Sequence, residues 1–256
     1  MREHSNVWMS QVAWRGAEIA AAWAANPPAP GEAPTLTARE LARYIDHTLL
    51  KAEATPAQVE ALCAEAAEHG FASVCVNSSH VALCAERLQG SGVAVGSTVG
   101  FPLGAMLSAA KAQEAGLAIE AGANEIDMVL PVGLLKAGDL HGVYEDIAAV
   151  VRTCHAGGAL CKVIFETALL ADAEKATACL LCAEAGADYV KTSTGFGPGG
   201  ATVADVALMR HVVGPTKGVK AAGGIRTYAD ALAMIAAGAT RIGASAGIQI
   251  LQGIPQ

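Results

Sequence analysis

The feature that most constrains the fold of this chain is a regular alternation of short apolar segments with longer alanine-rich segments from Thr37 onward. The apolar segments have the length and composition of strands buried on both faces, and the segments between them have helical periodicity. Strands are predicted near 45–49, 72–76, 93–98, 125–129, 160–165, 188–191, 217–221 and 240–243. Helices are predicted over 55–69, 78–89, 107–121, 139–155, 172–185, 202–213 and 227–237, with a short last helix after Ser245. Eight strand–helix units over about 215 residues indicate an α/β fold of the (β/α)8, or TIM barrel, type.

A doubly wound open sheet is the main alternative, because it is built from the same alternating elements. Its usual nucleotide-binding sequence, G-x-G-x-x-G after the first strand, is missing. An internal repeat also favours the barrel, since four glycines stand where a helix should end just before a strand: Gly70, Gly122, Gly186 and Gly238. The residues five positions further on are Cys75, Asp127, Lys191 and Gly243. Because alternate strands of a barrel supply one interior layer, these four positions are predicted to lie at one height near the C-terminal mouth.

The N-terminal region is predicted to be an addition to the barrel. Residues 1–35 are interpreted as a helix followed by a proline-rich linker, and residues 36–256 as the barrel domain. The helix is predicted over 5–25, with one apolar stripe formed by Trp8, Val12, Ile19 and Trp23. Two tryptophans left in water would be unusual, so the stripe should dock on the barrel or on a partner subunit. We expect a stabilising or subunit-contact helix rather than a lid over the mouth.

Composition and charge exclude several classes of protein. The net charge is −7 and no cluster of lysine and arginine stands out, which argues against a nucleic-acid partner. No apolar run approaches the ~18 residues of a membrane span, and the N-terminal region lacks the apolar core of a secretory signal. Seven scattered cysteines indicate reduced thiols and a cytoplasmic protein. The C-x-x-C spacing of Cys179 and Cys182 lies within a helical pattern, so we interpret it as packing rather than as a metal or redox site.

Charged residues interrupt several of the predicted strands. Lys191 stands where the sixth strand should end, Lys220 near the end of the seventh, and Asp127 and Lys162 within the fourth and fifth. A buried lysine beside a second cation has a lowered proton affinity and becomes nucleophilic near neutral pH. Taken alone, Lys191 could equally be a strand-end lysine that extends to solvent. Asp127 could likewise be a structural partner for a cation.

The loops after the seventh and eighth strands have the composition of a phosphate site. Gly223 and Gly224 follow the seventh strand, and Gly243 and Ser245 follow the eighth. Phosphate sites of TIM barrels commonly lie at these two loops, where glycines let backbone N–H groups approach the ligand. The position of the glycines, rather than their number, makes this a phosphate-site prediction.

Seven segments together carry a resemblance to a known family. They are Ile45–Lys51 (IDHTLLK), Thr98–Gly104 (TVGFPLG), Glu125–Val129 (EIDMV), Lys162–Thr167 (KVIFET), Val190–Phe196 (VKTSTGF), Val219–Arg226 (VKAAGGIR) and Arg241–Ser245 (RIGAS). In this order they resemble the deoxyribose-phosphate aldolase family over about residues 36–251. The resemblance implies a class I aldolase that needs no metal and no cofactor. Its reaction would be the reversible cleavage of 2-deoxy-D-ribose 5-phosphate to D-glyceraldehyde 3-phosphate and acetaldehyde, a step in carbohydrate degradation.

The same resemblance implies roles for individual residues. Lys191 would form the Schiff base, Lys220 would perturb its pKa, and Asp127 would transfer protons. The residues expected to bind substrate or phosphate are Lys162, Thr194, Gly195, Gly223, Gly224, Gly243 and Ser245. The expected partners are a phosphosugar and aldehydes, without nucleic acid or membrane, and we expect a homo-oligomer with a dimer favoured.

Two other functions stay open at this point. A sugar-phosphate isomerase or epimerase on the same scaffold would need carboxylate or histidine bases, and the pair Lys191 and Lys220 speaks against it. A catalytically silent or differently specific phosphosugar-binding barrel would keep the phosphate loops without this turnover. The presence of Asp127 together with both lysines argues against a silent protein.

Overall fold

The computed structural model describes residues 2–27 and 31–255. Eight parallel strands pair in chain order, and the first also pairs with the last, so the sheet closes into a barrel. The strands are β1 (Ile45–Leu49), β2 (Ser73–Val76), β3 (Ala94–Val99), β4 (Glu125–Val129), β5 (Leu160–Ile164), β6 (Tyr189–Lys191), β7 (Gly218–Ala222) and β8 (Arg241–Ala244). The predicted fold and the eight predicted strands are confirmed, with ends that differ by one residue at most.

Helices surround this barrel. They are α1 (Arg2–Ala25), α2 (Ala38–Ala42), α3 (Pro56–His69), α4 (Val81–Arg87), α5 (Ser108–Glu120), α6 (Val132–Lys136), α7 (Leu140–Ala156), α8 (Asp172–Ala185), α9 (Val203–Val213), α10 (Tyr228–Ala236) and α11 (Gly247–Gln252). The sequence does not predict the two short helices α2 and α6. The helix predicted over 78–89 is a 3-10 turn at Ser78–His80 followed by α4.

Local sequence signals explain where the helices begin and end. Thr55 accepts a hydrogen bond from the backbone N–H of Gln58, and Pro56 occupies the first turn of α3, where its missing N–H costs nothing. Gly70 and Gly186 end α3 and α8 in the left-handed conformation, with φ of 67° and 85°. The glycines of the repeat therefore do end helices just before strands, as predicted.

Helix α1 lies on the outer face of α8. Its buried residues follow a spacing of three or four positions, and they are Met9, Val12, Gly16, Ala20 and Trp23. A Cβ atom on Gly16 would lie 2.2 Å from Thr177 Oγ1, so only glycine lets the two helices approach this closely.

The rings at either end of α1 contact neighbouring helices. The Trp8 ring packs edge-on against Tyr144 of α7, and the Trp23 ring lies 5.3 Å from the ring of His211 in α9. Of the predicted stripe, Val12 and Trp23 are buried, and Trp8 and Ile19 are half-buried. The prediction from large side chains left out Gly16, which is buried between Val12 and Ile19 and lies against Thr177 of α8.

The remaining predictions about the chain's organisation have mixed outcomes. Of the predicted linker, residues 28–30 lie outside the described residues, and the division at residue 35 stays a prediction. Among the helices that the structure describes, none is long and apolar enough to cross a membrane. Cys179 and Cys182 are buried free thiols within the hydrophobic core, as packing residues should be.

Candidate active site

The residues that the repeat predicts for one layer meet inside the barrel. Lys191 is the last residue of β6, and its Nζ donates a hydrogen bond of 2.7 Å to Asp127 Oδ2. The Cys75 sulfur lies 3.9 Å from the same oxygen. A Cβ atom on Gly243 would lie 3.1 Å from Lys220 Cε, so this glycine leaves room for the lysine chain. The predicted layer is confirmed.

Lys191 and Lys220 face each other across neighbouring strands. They are paired in register on β6 and β7, and the Nζ atoms of both lie 2.7 Å from Asp127 Oδ2. Lys220 also donates to Asp46 Oδ2. All four side chains are buried. We call Asp127, Lys191 and Lys220 the mouth cluster.

A second group of charges lies nearer the N-terminal ends of the strands, and we call Asp46, Glu125, Lys162 and Arg241 the lower cluster. Lys162 Nζ lies 2.6 Å from Glu125 Oε2 and 2.8 Å from Asp127 Oδ1, so it joins the two clusters. Arg241 lies 2.6 Å from Asp46 Oδ1 and 3.1 Å from Glu125 Oε1. Each buried charge therefore has a partner of opposite sign, which is the condition under which buried charges are tolerated.

The pKa values in the lower cluster favour the charged forms. Burial alone would lower the pKa of Lys162, but Asp127, Glu125 and Asp46 together raise it well above its ordinary value. Burial alone would raise the pKa of Asp127, but the three lysines around it hold that pKa well below the usual range. Lys162 and Asp127 are thus a stable ion pair at neutral pH.

The two lysines of the mouth cluster differ in the direction of their pKa shifts. Burial lowers the pKa of Lys191, Asp127 opposes that shift, and the neighbouring charge of Lys220 adds to it, so the pKa lies below that of an ordinary lysine. Burial would also lower the pKa of Lys220, but Asp127 and Asp46 outweigh burial and raise it. Lys220 therefore stays an ammonium while Lys191 loses its proton more easily.

The charges of the two clusters balance when Lys191 is neutral. The carboxylates are Asp46, Glu125 and Asp127. The cations other than Lys191 are Lys162, Lys220 and Arg241. A proton on Lys191 would add one uncompensated charge to a buried site, where each such charge costs several kcal/mol. The arrangement thus favours the free amine, which is the nucleophilic form of lysine.

A cleft of about 300 Å³ opens above Lys191. The predicted site residues that line it are Lys191, Thr194, Gly195, Gly223, Gly224, Gly243 and Ser245. Gly223 and Gly224 adopt φ values of 90° and 83°, which residues other than glycine rarely adopt. Lys51 and Arg226, which the sequence did not single out, also line the cleft and are exposed at its rim. The cleft therefore has a lysine of lowered pKa at its buried end and glycine loops with two cations at its open end.

Lys162 has a different place from the one the sequence suggests. Its side chain is buried, forms ion pairs with three carboxylates and is not among the residues that line the cleft. We therefore interpret it as a residue that holds Asp127 rather than one that touches phosphate. The sequence also missed Asp46, Glu125 and Arg241, although a carboxylate or guanidinium at the start or middle of a buried strand is the signal that could have found them.

The described residues contain no group of three or more His, Cys, Asp or Glu side chains arranged to hold a metal ion. The three carboxylates of the barrel interior are ion-paired with lysine and arginine instead. The expectation that the protein works without metal or cofactor stays a prediction.

These observations define a class of protein: a TIM barrel with a buried lysine of lowered pKa at its C-terminal mouth, the setting in which lysine becomes a nucleophile for imine formation. Comparison with known sequences identifies the family. A family model described as the DeoC/LacD family aldolase matches residues 41–253. The protein therefore belongs to the DeoC/LacD family of aldolases, which are carbon–carbon lyases.

Individual relatives agree with this assignment. A deoxyribose-phosphate aldolase of Streptococcus suis is 59% identical over 214 residues, covering 84% of this chain and 96% of the relative. One of Lysinibacillus sphaericus is 58% identical over 216 residues, with the same shares covered.

Solved structures share the fold as well. A Coccidioides immitis structure described under the deoxyribose-phosphate aldolase name has a TM-score of 0.85 and 40% identity, and the match covers 94% of this chain and 96% of that one. That share is too large to come from residues 36–256 alone, so the likeness includes part of the N-terminal extension. A deoxyribose phosphate aldolase from Aeropyrum pernix, described as a tetramer, has a TM-score of 0.80 and 34% identity, covering 84% of this chain and 91% of that one.

Proposed function

We propose that this aldolase reversibly cleaves 2-deoxy-D-ribose 5-phosphate to D-glyceraldehyde 3-phosphate and acetaldehyde through a Schiff base on Lys191. The observation that carries the proposal is the charge balance of the buried clusters, which favours the neutral amine of Lys191 beside the positively charged Lys220. The names of the streptococcal and Lysinibacillus relatives support the choice of substrate.

In the first stage the Lys191 amine attacks C1 of the open-chain aldehyde. The carbinolamine that forms then loses its hydroxyl as water, which leaves a protonated imine. Loss of water needs a proton, and the Lys220 ammonium can supply one through Asp127, because Asp127 Oδ2 contacts both lysines. The contact geometry thus supports Asp127 as the group that passes protons within the mouth cluster.

In the second stage the imine draws electrons from the bond between C2 and C3. As that bond breaks, the C3 hydroxyl loses its proton and becomes the aldehyde of glyceraldehyde 3-phosphate. The electron pair moves through C2 toward the imine nitrogen and gives an enamine, which is protonated at C2. Water then hydrolyses the resulting imine, and acetaldehyde leaves while Lys191 regains its amine.

The open end of the cleft is proposed to bind the phosphate. The glycine loops leave backbone room for a phosphate, Ser245 can donate its hydroxyl, and Lys51 and Arg226 bring positive charge to the rim. One cleft thus has a lysine of lowered pKa at its buried end and glycine loops with two cations at its open end, which supports a phosphosugar as the substrate.

The cellular setting and the assembly state belong to the same proposal. All seven cysteines are free, which supports the predicted cytoplasmic location. We retain the predicted homo-oligomer, with a dimer favoured.

Cleavage assays with and without the substrate phosphate test this function. Wild-type protein should cleave 2-deoxyribose 5-phosphate much faster than 2-deoxyribose. Ser245→Asp should lower kcat/KM on the phosphorylated sugar by on the order of tenfold or more through charge repulsion, and Ser245→Ala should lower it less. Neither change should affect 2-deoxyribose comparably. Binding of the phosphosugar without turnover would identify the protein as a silent phosphosugar-binding barrel instead.

A further inference from the structure

Helix α1 contains all three tryptophans of the chain, and they do not share one environment. The rings of Trp8 and Trp23 contact side chains of α7 and α9. Trp14 is 63% exposed, and Val7, seven residues before it on the same side of the helix, is 59% exposed. Large apolar side chains that are exposed next to each other mark an interaction surface.

The exposed side of α1 also carries little charge. Between Val7 and Ala25 the only charged residues are Arg15 and Glu18. A helix that packs on a domain with one side and meets water with the other normally has a polar outer side. Helix α1 lacks such a side, so we expect a second surface to cover it.

The exposed residues follow the spacing of paired helices. From Val7 onward they recur at alternating intervals of four and three positions, which is the seven-residue repeat of a helix that packs along another helix. We call these residues the outer stripe, and they are Val7, Gln11, Trp14, Glu18, Ala21 and Ala25. The outer stripe lies on the side of α1 opposite to Gly16, which faces α8. One helix can therefore pack on its own barrel and on a second helix at the same time.

The outer stripe is complementary to itself when two copies of α1 run antiparallel. A two-fold axis at the level of Gly16 lets the whole stripe pair with the stripe of the second copy. The facing positions are then Val7 with Ala25, Gln11 with Ala21, and Trp14 with Glu18. Two of these layers place a larger side chain against alanine. In the third, the indole N–H can donate to a carboxylate.

The two charges of α1 fit the same arrangement. Arg15 comes directly after Trp14, so in the antiparallel pair it lies at the level of Glu18 of the second copy. The two-fold axis repeats this contact, and each arginine meets a carboxylate. In a parallel pair equal positions face each other, so Glu18 would meet Glu18, which is unfavourable. The charges therefore favour the antiparallel arrangement.

We propose that the outer stripe is an interface with a second copy of this chain, formed by two antiparallel α1 helices around a two-fold axis. The inference concerns assembly and does not depend on the proposed reaction. It gives the expected homo-oligomer a defined surface. Two single helices bury less area than a standard interface of about 1,600 Å², so the association through α1 should depend on protein concentration.

Introduced cysteines test the surface and the register of the pair together. A chain with both Gln11→Cys and Ala21→Cys should form a disulfide-linked dimer on mild oxidation, because these positions face each other between the copies. They cannot link within one chain, since they lie about 15 Å apart along a helix that rises about 1.5 Å per residue. Gln11→Cys alone should stay unlinked, because its two copies are separated by the same length. The seven native cysteines are buried and should not interfere.

Sedimentation velocity over a range of protein concentrations measures the association itself. Trp14→Glu should lower the association constant at least tenfold, and if another surface also joins subunits, the larger assembly should split into halves. Ala13→Glu is the matched control, because Ala13 is exposed on the same helix but lies outside the outer stripe. It should leave the association unchanged.

Charge reversal tests the pairing of Arg15 with Glu18. Arg15→Glu and Glu18→Arg should each weaken the association, since each places like charges against each other. The double variant should restore most of it, because the two charges are then exchanged. An effect of the single variants on the helix alone would not be reversed in a concentration-dependent way.

Three results would overturn the inference. An association that Trp14→Glu leaves unchanged would show that the outer stripe does not join copies. Linkage of Gln11→Cys alone would show that the helices do not meet in this register. Binding of the wild type to anionic vesicles, lost in Trp14→Glu without any change in mass, would assign the surface to a membrane instead.

Turnover is measured on the same variants to keep this inference apart from the proposed function. It should stay at the wild-type level, because no described residue of α1 lines the cleft. A protein that associates through α1 but does not cleave 2-deoxyribose 5-phosphate would contradict the proposed function and leave this inference standing.

Discussion

Lys162 and Lys191 lie on neighbouring strands and are buried to nearly the same degree, at 1% and 3% exposure, yet their pKa values move in opposite directions. The carboxylates of Asp127, Glu125 and Asp46 all act on Lys162. Lys191 has one carboxylate oxygen, and it shares that oxygen with Lys220. The comparison teaches that burial alone does not make a lysine reactive, because the number of facing carboxylates decides the outcome.

This difference divides the work between the two clusters. The lower cluster is fully paired and holds Asp127 in place from below, through the contact between Lys162 and Asp127 Oδ1. In the mouth cluster two lysines, Lys191 and Lys220, share the single carboxylate of Asp127. We expect changes in the lower cluster to act mainly on stability, and changes in the mouth cluster mainly on catalysis.

The largest effect should come from Lys191→Met. Removing the amine should lower turnover by on the order of 10⁴-fold or more, because no other group can form the imine. The same change should raise the free energy of unfolding by roughly 0.5–2 kcal/mol, since a buried amine with a lowered pKa costs stability that methionine does not. Steady-state assays and thermal unfolding measure the two effects. A clear loss of stability would contradict the idea that a positive charge on Lys191 lacks a carboxylate of its own.

Lys162→Met should lower the free energy of unfolding, in contrast to Lys191→Met. It leaves Glu125 and Asp127 with less compensation, and breaking a buried ion pair typically costs about 3–5 kcal/mol. Chemical denaturation should detect this loss. The double variant Lys162→Met with Glu125→Gln should recover part of it, because one unpaired charge is then removed. A Lys162→Met protein as stable as the wild type would show that the lower cluster does not hold the barrel interior together.

Lys220→Met should act on the pH dependence of turnover. Turnover rises with pH as Lys191 loses its proton, and removing the positive charge of Lys220 raises the pKa of Lys191. The rising limb of the pH–rate profile should therefore move to higher pH. If the pKa of Lys191 rises by about one, the rate on the acidic side of the limb should fall about tenfold, because a tenth as much of the lysine is then neutral.

The control for this prediction is Lys111→Met. Lys111 is another buried lysine, paired with Asp146 between α5 and α7, and its loss should leave the limb where it is. A Lys220→Met enzyme with the wild-type midpoint would mean that Lys220 acts through geometry or proton transfer rather than through its charge.

The smallest effect on catalysis should follow from deleting residues 1–33. The deletion uncovers the surfaces of α8 and α9 that Gly16 and Trp23 contact. We therefore expect the melting temperature to fall by a few degrees per kcal/mol lost, or the oligomeric state to change. Turnover per folded site should stay close to wild type, because no described residue of α1 lines the cleft. A folded, truncated protein that has lost most of its activity would place α1 in the active site.

The sequence predicted those features of the site that depend on strand position. Lys191, Lys220 and Asp127 stand out because a charge in an apolar strand is unusual, and the repeat of glycines predicts their common height. The role of Lys162 could not be predicted in this way. Whether a buried lysine is reactive depends on carboxylates from other strands, such as Asp46 on β1, and their distances follow from the register of the closed barrel.

Two other features depend on local geometry that residue patterns do not show. Glu166 lies in a motif that resembles the aldolase family, but its left-handed backbone follows from hydrogen bonds on both sides to β6 and the residue after it. The face of α1 that contacts α8 includes Gly16, which has no side chain and therefore leaves space for Thr177. A helix face that is predicted from large apolar side chains alone leaves out a glycine of this kind.

The most direct test of this account is covalent trapping with acetaldehyde and borohydride, followed by peptide mass mapping. The buried lysines to compare are Lys111, Lys162, Lys175, Lys191 and Lys220. Of these lysines only Lys191 lines the cleft, and its pKa is lowered there. The account therefore predicts a stable ethyl adduct on Lys191 and on no other buried lysine, and no such adduct in Lys191→Met. An adduct on Lys162 or Lys220 in the native enzyme, or none on Lys191, would contradict it.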